Sequence, residues 1–179
     1  MVKPALTQLI EAGEKKTGKS AFQGTLVAVD PGETIGYAIF QHGKVVACGE
    51  HKCDNFTQAC EFIDELGLYN FSNEPTNLVI ENYQVYSWRA KEHSWSTMFT
   101  SRVIGAIELQ CWFLDWPIWK QTAQNAKKFM TDERLKEWGM WEKGKRHARD
   151  AIRHGCFWLA FTQFKAQTDT DTPDEELDK

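Results

Sequence analysis

Hydrophobic and polar positions change period several times along the chain, and each change marks an element. "GTLVAVD" (24–30) is a short continuous apolar run, the pattern of a strand covered on both faces. "ETIGYAIF" (33–40) and "GKVVACGEH" (43–51) follow across Pro-Gly and His-Gly turns, which predicts an antiparallel three-stranded meander. The period then becomes helical in "NFTQACEFIDELGLY", where Phe56, Ala59, Cys60, Ile63 and Leu66 share a face. "NLVIENY" returns to strand and closes on a carboxylate, Glu81. From His93 to Leu114 the apolar residues Trp95, Met98, Phe99, Val103, Ala106, Ile107, Cys111 and Leu114 recur at three- and four-residue spacing, predicting a long amphipathic helix that stops near Pro117. "PIWKQ" reads as a short strand. "TAQNAKKFM" and "DERLKEWGM" read as short helices capped at Thr122 and at Thr131 or Asp132. A last helix over 146–163 carries Ala148, Ala151, Ile152, Gly155, Trp158 and Leu159 on one stripe.

That order predicts one α/β domain over 24–164, with a mixed five-stranded sheet flanked by helices. Residues 1–23 read as an N-terminal extension, a short helix at Leu6, Leu9 and Ile10 running into a polar linker. Residues 165–179 are acidic and lack apolar periodicity, the pattern of a disordered tail.

Composition sharpens this picture in three places. No apolar run approaches the roughly 20 residues that span a bilayer, and the Lys-rich start lacks the apolar stretch of a signal peptide, so a cytoplasmic protein without membrane partners is expected. Five cysteines form no framework spacing, which suits a reducing compartment. Cys48, His51, Cys53 and Cys60 invite a zinc reading, but their spacings fit no compact Cys-x-x-Cys pair, and buried thiols are the expectation. Eight tryptophans in 179 residues imply large buried rings or stacking surfaces.

The net charge of −4 conceals an asymmetry. Residues 165–179 hold six acids against two lysines, whereas 120–153 hold ten Lys/Arg against five Asp/Glu. One face of the domain can therefore attract a polyanion although the chain as a whole is acidic.

Candidate chemistry lies at the ends of the elements. Asp30 closes the first strand, Glu81 the fourth, and "HARD" opens the last helix with His147 and Asp150 three residues apart on one face. A carboxylate at a strand end is costly unless something there requires negative charge. Hard divalent ions take oxygen ligands and keep positions open for phosphates, so these four residues can hold metal if the three elements meet.

"VAVDPGETIGYAIF", "LVIENY" and "HARDAIRHG" occur in the order and spacing of the RuvC-like Holliday junction resolvases of the RNase H-like superfamily, and residues 24–164 resemble that family, its compact phage-type members above all. "RVIGAIELQCWFLDWPIWKQTAQNAKKFM" is similar to the family's long helix, Pro-led strand and A-x-x-x-K segment, with Lys127 at the lysine position. The resemblance implies an RNase H-like fold. It also implies a catalytic, metal-binding set of Asp30, Glu81, His147 and Asp150 with two Mg²⁺ per site, Mn²⁺ being the other candidate. The implied activity is endonucleolytic hydrolysis of four-way DNA junctions in recombination or repair, leaving a 5′ phosphate, with His147 either ligating or positioning water. It implies a homodimer, for which the 93–114 helix offers Trp95, Phe99, Trp112 and Phe113 as the seam. A phage-encoded member would act in the bacterial host cytoplasm.

Lys120, Lys127, Lys128, Lys143, Lys145, Arg146, Arg149 and Arg153 flank the acids in sequence and are the expected phosphate contacts. Tyr83, Tyr86 and Trp88 are alternatives for an aromatic wedge that stacks on bases at the crossover. Three rival functions remain to be weighed. An actin-like or sugar-kinase-like ATPase needs a second phosphate loop and a much longer chain. A flap, packaging or other branched-DNA nuclease would carry the same acids. A non-catalytic DNA-binding relative should have lost an acid, and none is missing.

Overall fold

The computed structural model describes residues 5–68, 75–82 and 94–165. Its centre is β1 (Thr25–Asp30), buried at every position because strands flank it on both sides and helices cover both faces. β2 (Thr34–Gln41) and β3 (Lys44–Lys52) complete the expected antiparallel meander, with Asp30 opposite Gly36 and Gly36 opposite Glu50. On the other side β4 (Thr76–Glu81) and β5 (Ile118–Gln121) run parallel to β1, giving a five-stranded sheet in the order β3-β2-β1-β4-β5.

Alternation along the strands sorts two cores. Val27, Val29, Ile35, Leu78 and Ile80 face α2 (Phe56–Leu68) and α3 (Ser94–Leu114), where Ile63, Leu66, Val103 and Ile107 meet them. Leu26, Ala28, Ala38, Phe40 and Val79 face α6 (Arg146–Ala160), whose Ala151, Ile152, Cys156 and Leu159 fill the opposite layer. Trp158 is a core ring on this side, edge-on to Phe22 at 5.5 Å and to Trp119 at 5.9 Å. α4 (Ala123–Phe129) and α5 (Asp132–Glu137) pack Ala126, Met130 and Leu135 into the α6 side.

The segment set apart as an extension contributes a helix to this core. α1 (Leu6–Thr17) buries Leu6, leans Leu9 and Ile10 on the α6 cluster, and ends at Gly18 in the left-handed region. The last predicted helix holds its whole apolar stripe but stops at Ala160, short of the expected 163, and is followed by a 3₁₀ turn over Thr162–Phe164. The acidic tail beyond residue 165 lies outside the described residues.

All five cysteines are free thiols; Cys53, Cys111 and Cys156 are buried as expected, whereas Cys48 and Cys60 are half-buried, and burial pushes the Cys111 thiol up to about 12. Cys48 joins the α6-side cluster while the His51 ring stacks on Phe62 of α2, so these two point to opposite faces of the sheet. No described helix is long and apolar enough to cross a membrane.

Two glycines set how closely α6 lies on the sheet. A Cβ on Gly155 would fall 2.1 Å from the Phe40 ring, and one on Gly36 would fall 2.1 Å from the carbonyl oxygen of His147 and 2.2 Å from its carbonyl carbon. The second contact is backbone against backbone and has no flexible side chain to yield. Gly36→Ala is expected to cost about 1–3 kcal/mol, the range for overpacking, measured by urea or thermal unfolding. A melt identical to that of the unsubstituted protein would show that α6 is not seated on this glycine.

Candidate active site

The site is built where β1, β4 and α6 meet. β1 and β4 run parallel with Val29 beside Ile80, so Asp30 and Glu81 end neighbouring strands, on the same face as Ala28 and Val79. Strands in such a pair lie about 4.8 Å apart. That face is the one α6 covers. Ligand sites in open α/β sheets gather at these carboxyl ends.

α6 enters the site through its first turn. Its N-cap, Lys145, has no side-chain capping bond, and the free amides of the turn are served from another element. Glu50 of β3 accepts from the backbone N–H of His147 at 2.5 Å and of Ala148 at 3.3 Å. A carboxylate is favoured at this end of a helix by its dipole. The cap fixes the rotation of α6, and the His147 ring then reaches Asp30, Nδ1 to Oδ2 at 2.7 Å.

Asp150, one turn on, is buried and doubly held. Lys127 of α4 lies 3.2 Å from its Oδ2, and the Arg153 guanidinium donates to its Oδ1. Arg153 also donates to Asp132 and, at 2.8 Å, to the Met130 carbonyl, which ties α6 to the α4–α5 turn. Glu81 is held by His154, with Nε2 3.3 Å from Oε2.

Electrostatics bind the set together. Burial raises the Asp30 carboxyl above the ordinary aspartate value; the His147 hydrogen bond works against this, and the charges of Glu81 and Asp150 add to it. The Asp30 hydrogen bond in turn raises the His147 imidazole, with burial opposing. Three carboxylates thus share one partly desolvated region. Among the described residues no three of His, Cys, Asp or Glu gather at ligating distance, because each acid is turned to its own partner: Asp30 to His147, Glu81 to His154, Asp150 to Lys127 and Arg153. The donor chemistry, three hard carboxylates close enough for the charges of Glu81 and Asp150 to act on Asp30, fits a divalent cation such as Mg²⁺ or Mn²⁺.

The expected basic residues divide by direction. Lys127, Lys128, Lys143, Lys145 and Arg146 are exposed on α4, on the loop before α6 and at its first residue. Arg149 is half-buried, donating to the Glu142 carbonyl at 2.6 Å with its guanidinium 4.4 Å from the Trp141 ring centre. Two assignments are corrected. Lys120 alternates to the other face of β5 from Trp119 and Gln121, and pairs with Glu108 of α3 at 2.7 Å, across the sheet from the acids. Arg153 is buried against Asp150 and Asp132, so it serves the site from inside and offers no surface charge to a phosphate.

Tyr83, Tyr86 and Trp88 lie outside the described residues. Of the proposed seam on α3, Trp112 and Phe113 are 74% and 67% exposed and in mutual contact. Phe99 instead turns inward, edge-on to Phe56 of α2, and is removed from the outer face. Trp95 lies in the first turn of α3, and its side chain is not among those described.

Sequence reading missed Glu50 and His154. Glu50 looks like an ordinary polar residue of an edge strand, and only its pairing with Gly36 aims it at α6. His154 carried a signal: it lies four residues after Asp150, next to the apolar stripe, where a polar residue needs a partner.

No family model matches the sequence, and no curated protein does. Solved structures do. Thermus thermophilus RuvC in complex with a Holliday junction substrate superposes with a TM-score of 0.62 at 11% identity, over 78% of this chain and 95% of that one. The chain has the RuvC fold. A second Thermus thermophilus RuvC structure gives 0.61 at 13% identity over the same shares, and the yeast mitochondrial Holliday junction resolvase Ydc2 gives 0.52 at 11% over 89% and 94%. The mixed sheet of meander plus parallel strands, flanked by helices, is accordingly the RNase H-like architecture expected from the motifs.

Glu50→Ala is expected to lower stability by about 0.5–2 kcal/mol, the usual cost of a lost helix cap. Glu50→Gln, which keeps an acceptor oxygen, should recover most of it. Equal stability of Glu50→Ala and the unsubstituted protein in urea would remove Glu50 as the cap of α6.

Proposed function

We propose that the chain is a structure-selective endodeoxyribonuclease that nicks four-way DNA junctions in pairs, in a divalent-metal-dependent hydrolysis that serves recombination or repair. What supports the reading is that the charges of Glu81 and Asp150 act on Asp30, which is hydrogen-bonded to His147, beside exposed cations in a chain with the RuvC fold. One of the RuvC structures it resembles is itself described as bound to a Holliday junction substrate.

Asp30, Glu81, Asp150 and His147 are the residues that would hold Mg²⁺ or Mn²⁺. Bound there, two divalent ions would supply positive charge for in-line attack of water on a phosphodiester and for the departing 3′ oxygen, leaving a 5′ phosphate. The chain's own side chains do the rest. With Nδ1 tied to Asp30, the His147 ring has Nε2 to offer to a ligand or to the attacking water. Lys127 sits beside Asp150 on an exposed stem and can exchange that carboxylate for a phosphate oxygen. Lys128, Lys143, Lys145 and Arg146 extend the same positive face, where contacts give affinity and orientation rather than sequence choice.

A four-way junction has two-fold symmetry, which a C2 homodimer matches. Supporting a seam on α3 is a stripe of exposed apolar side chains: Met98, Leu109, Trp112 and Phe113 at 57%, 55%, 74% and 67% exposure. Gly105 lies within the stripe with open space where a Cβ would be, so a second helix could approach closely. Together these features read as a surface made to be covered.

On a synthetic four-way junction with Mg²⁺, strand mapping should show symmetric nicks on opposed strands, with little cutting of a flap or a linear duplex. Asp30→Asn, Glu81→Gln and Asp150→Asn should each reduce cleavage to background while junction binding survives, since removing negative charge cannot weaken attraction to phosphate. Flap cutting without junction nicks would sink the substrate assignment, and normal cleavage by any one variant would remove that residue from the site. For the seam, Leu109→Arg should sediment as a folded monomer. A folded dimer would place the interface elsewhere.

A further inference from the structure

We infer that His154 is a positioning residue, a buried imidazole that holds the Glu81 carboxylate in place for a divalent cation; the inference rests on the metal-site reading of Asp30, Glu81 and Asp150. His154 is fully buried on α6, one turn beyond Asp150. Both ring nitrogens are engaged: Nε2 lies 3.3 Å from Glu81 Oε2, and Nδ1 lies 3.2 Å from Gln121 Oε1. Gln121 ends β5, beside Glu81 in the parallel register, and its amide donates to the Thr162 hydroxyl at 3.2 Å. The ring is therefore fixed in plane and rotation from both sides, by a chain that runs from the 3₁₀ turn through β5 to the end of β4.

Glu81 needs such an anchor. Its side chain has three rotatable bonds, ends a strand and is partly exposed. It stands next to Asp30, and the two carboxylates repel, as the upward push of Glu81 on Asp30 shows. Left alone, the longer and more exposed of the two would swing toward water. The bond to His154 occupies one Glu81 oxygen and leaves the carboxylate its second oxygen for a cation. Outer-shell partners of metal-binding groups typically matter by about 10–100-fold in metal affinity. The first two elements of the site acquire their partners in the same way: α6 supplies His147 to Asp30 and His154 to Glu81, seven residues and about two turns apart.

The test uses the full chain and Mn²⁺ alone, read by the loss of the free-ion electron paramagnetic resonance signal on binding. His154→Leu should weaken Mn²⁺ binding about tenfold or more, and His154→Gln, which keeps an N–H donor, should recover most of it. In a Glu81→Gln background, His154→Leu should have no further effect, because its role passes through Glu81. A structural contribution alone would weaken binding equally in both backgrounds, and that result overturns the inference, as does unchanged Mn²⁺ affinity in a folded His154→Leu protein. Should His154→Leu fail to fold, the imidazole ¹⁵N shifts of His154 decide in its place: Glu81→Gln should move them, and unmoved shifts overturn the inference. An unsubstituted chain that binds no Mn²⁺ would instead defeat the metal-site reading, while the ¹⁵N shifts would still report whether His154 holds Glu81.

Discussion

The first turn of α6 rests on a bare stretch of β2 backbone, and the candidate site depends on that contact. Gly36 lets the His147 peptide approach where any side chain would collide with it. Glu50, paired with Gly36 across the next strand, caps the turn that has just landed there. One residue removes an obstacle and its neighbour supplies the hydrogen bonds, so the helix is held both in distance and in rotation. Asp30 is the third member of the same row, opposite Gly36 on β1, which is why the His147 ring meets it at hydrogen-bonding distance. Asp150 and His154 then take their places by helical geometry alone.

Most of the scaffold was legible because burial leaves a periodic trace. β1 reads as an unbroken apolar run since both faces are covered; α2 and α6 show one-sided stripes since each has one face on the sheet. Asp30, Glu81, His147 and Asp150 stand out in the sequence for a different reason: two strands close on acids, the start of the last helix carries an i,i+3 pair, and their order and spacing resemble a known motif set. What escaped was direction. Lys120 and Arg153 count as two positive charges in any sequence window, yet one alternates to the far side of β5 and the other is folded into the interior. Strict alternation in "IWKQ" would have separated Lys120 from Gln121, whereas the inward turn of Arg153 depends on Asp132 and the Met130 carbonyl, partners from a different segment. Phe99 shows the same limit on α3. Its spacing fits both faces of the helix, and the Phe56 ring on α2 decides which one it takes.

The distribution of charge makes the acidic composition consistent with an anionic substrate. The acids of the site are held from within: two histidines hydrogen-bond Asp30 and Glu81, while a buried arginine and Lys127 pair with Asp150 and offset part of the negative charge. Lys128, Lys143 and Arg146 remain exposed around them. On the other side of the sheet Lys120 is neutralised by Glu108, which leaves the α3 face dominated by apolar side chains. A net charge of −4 summed over the chain describes neither surface.

The same pairing sets how the site would accept a cation. Asp30, Glu81 and Asp150 cannot all stay charged and desolvated without compensation. Each now has a partner on α6 or α4, and those partners differ in freedom. His154 and Arg153 are buried and fixed, while Lys127 and His147 are partly exposed and can move. An incoming divalent ion would therefore meet two carboxylates braced from behind, Glu81 and Asp150, and two mobile groups, His147 and Lys127, able to turn toward water or phosphate. Rigid supports on the core side and movable ones on the solvent side are what a site needs if it is to keep its shape while exchanging one set of charges for another.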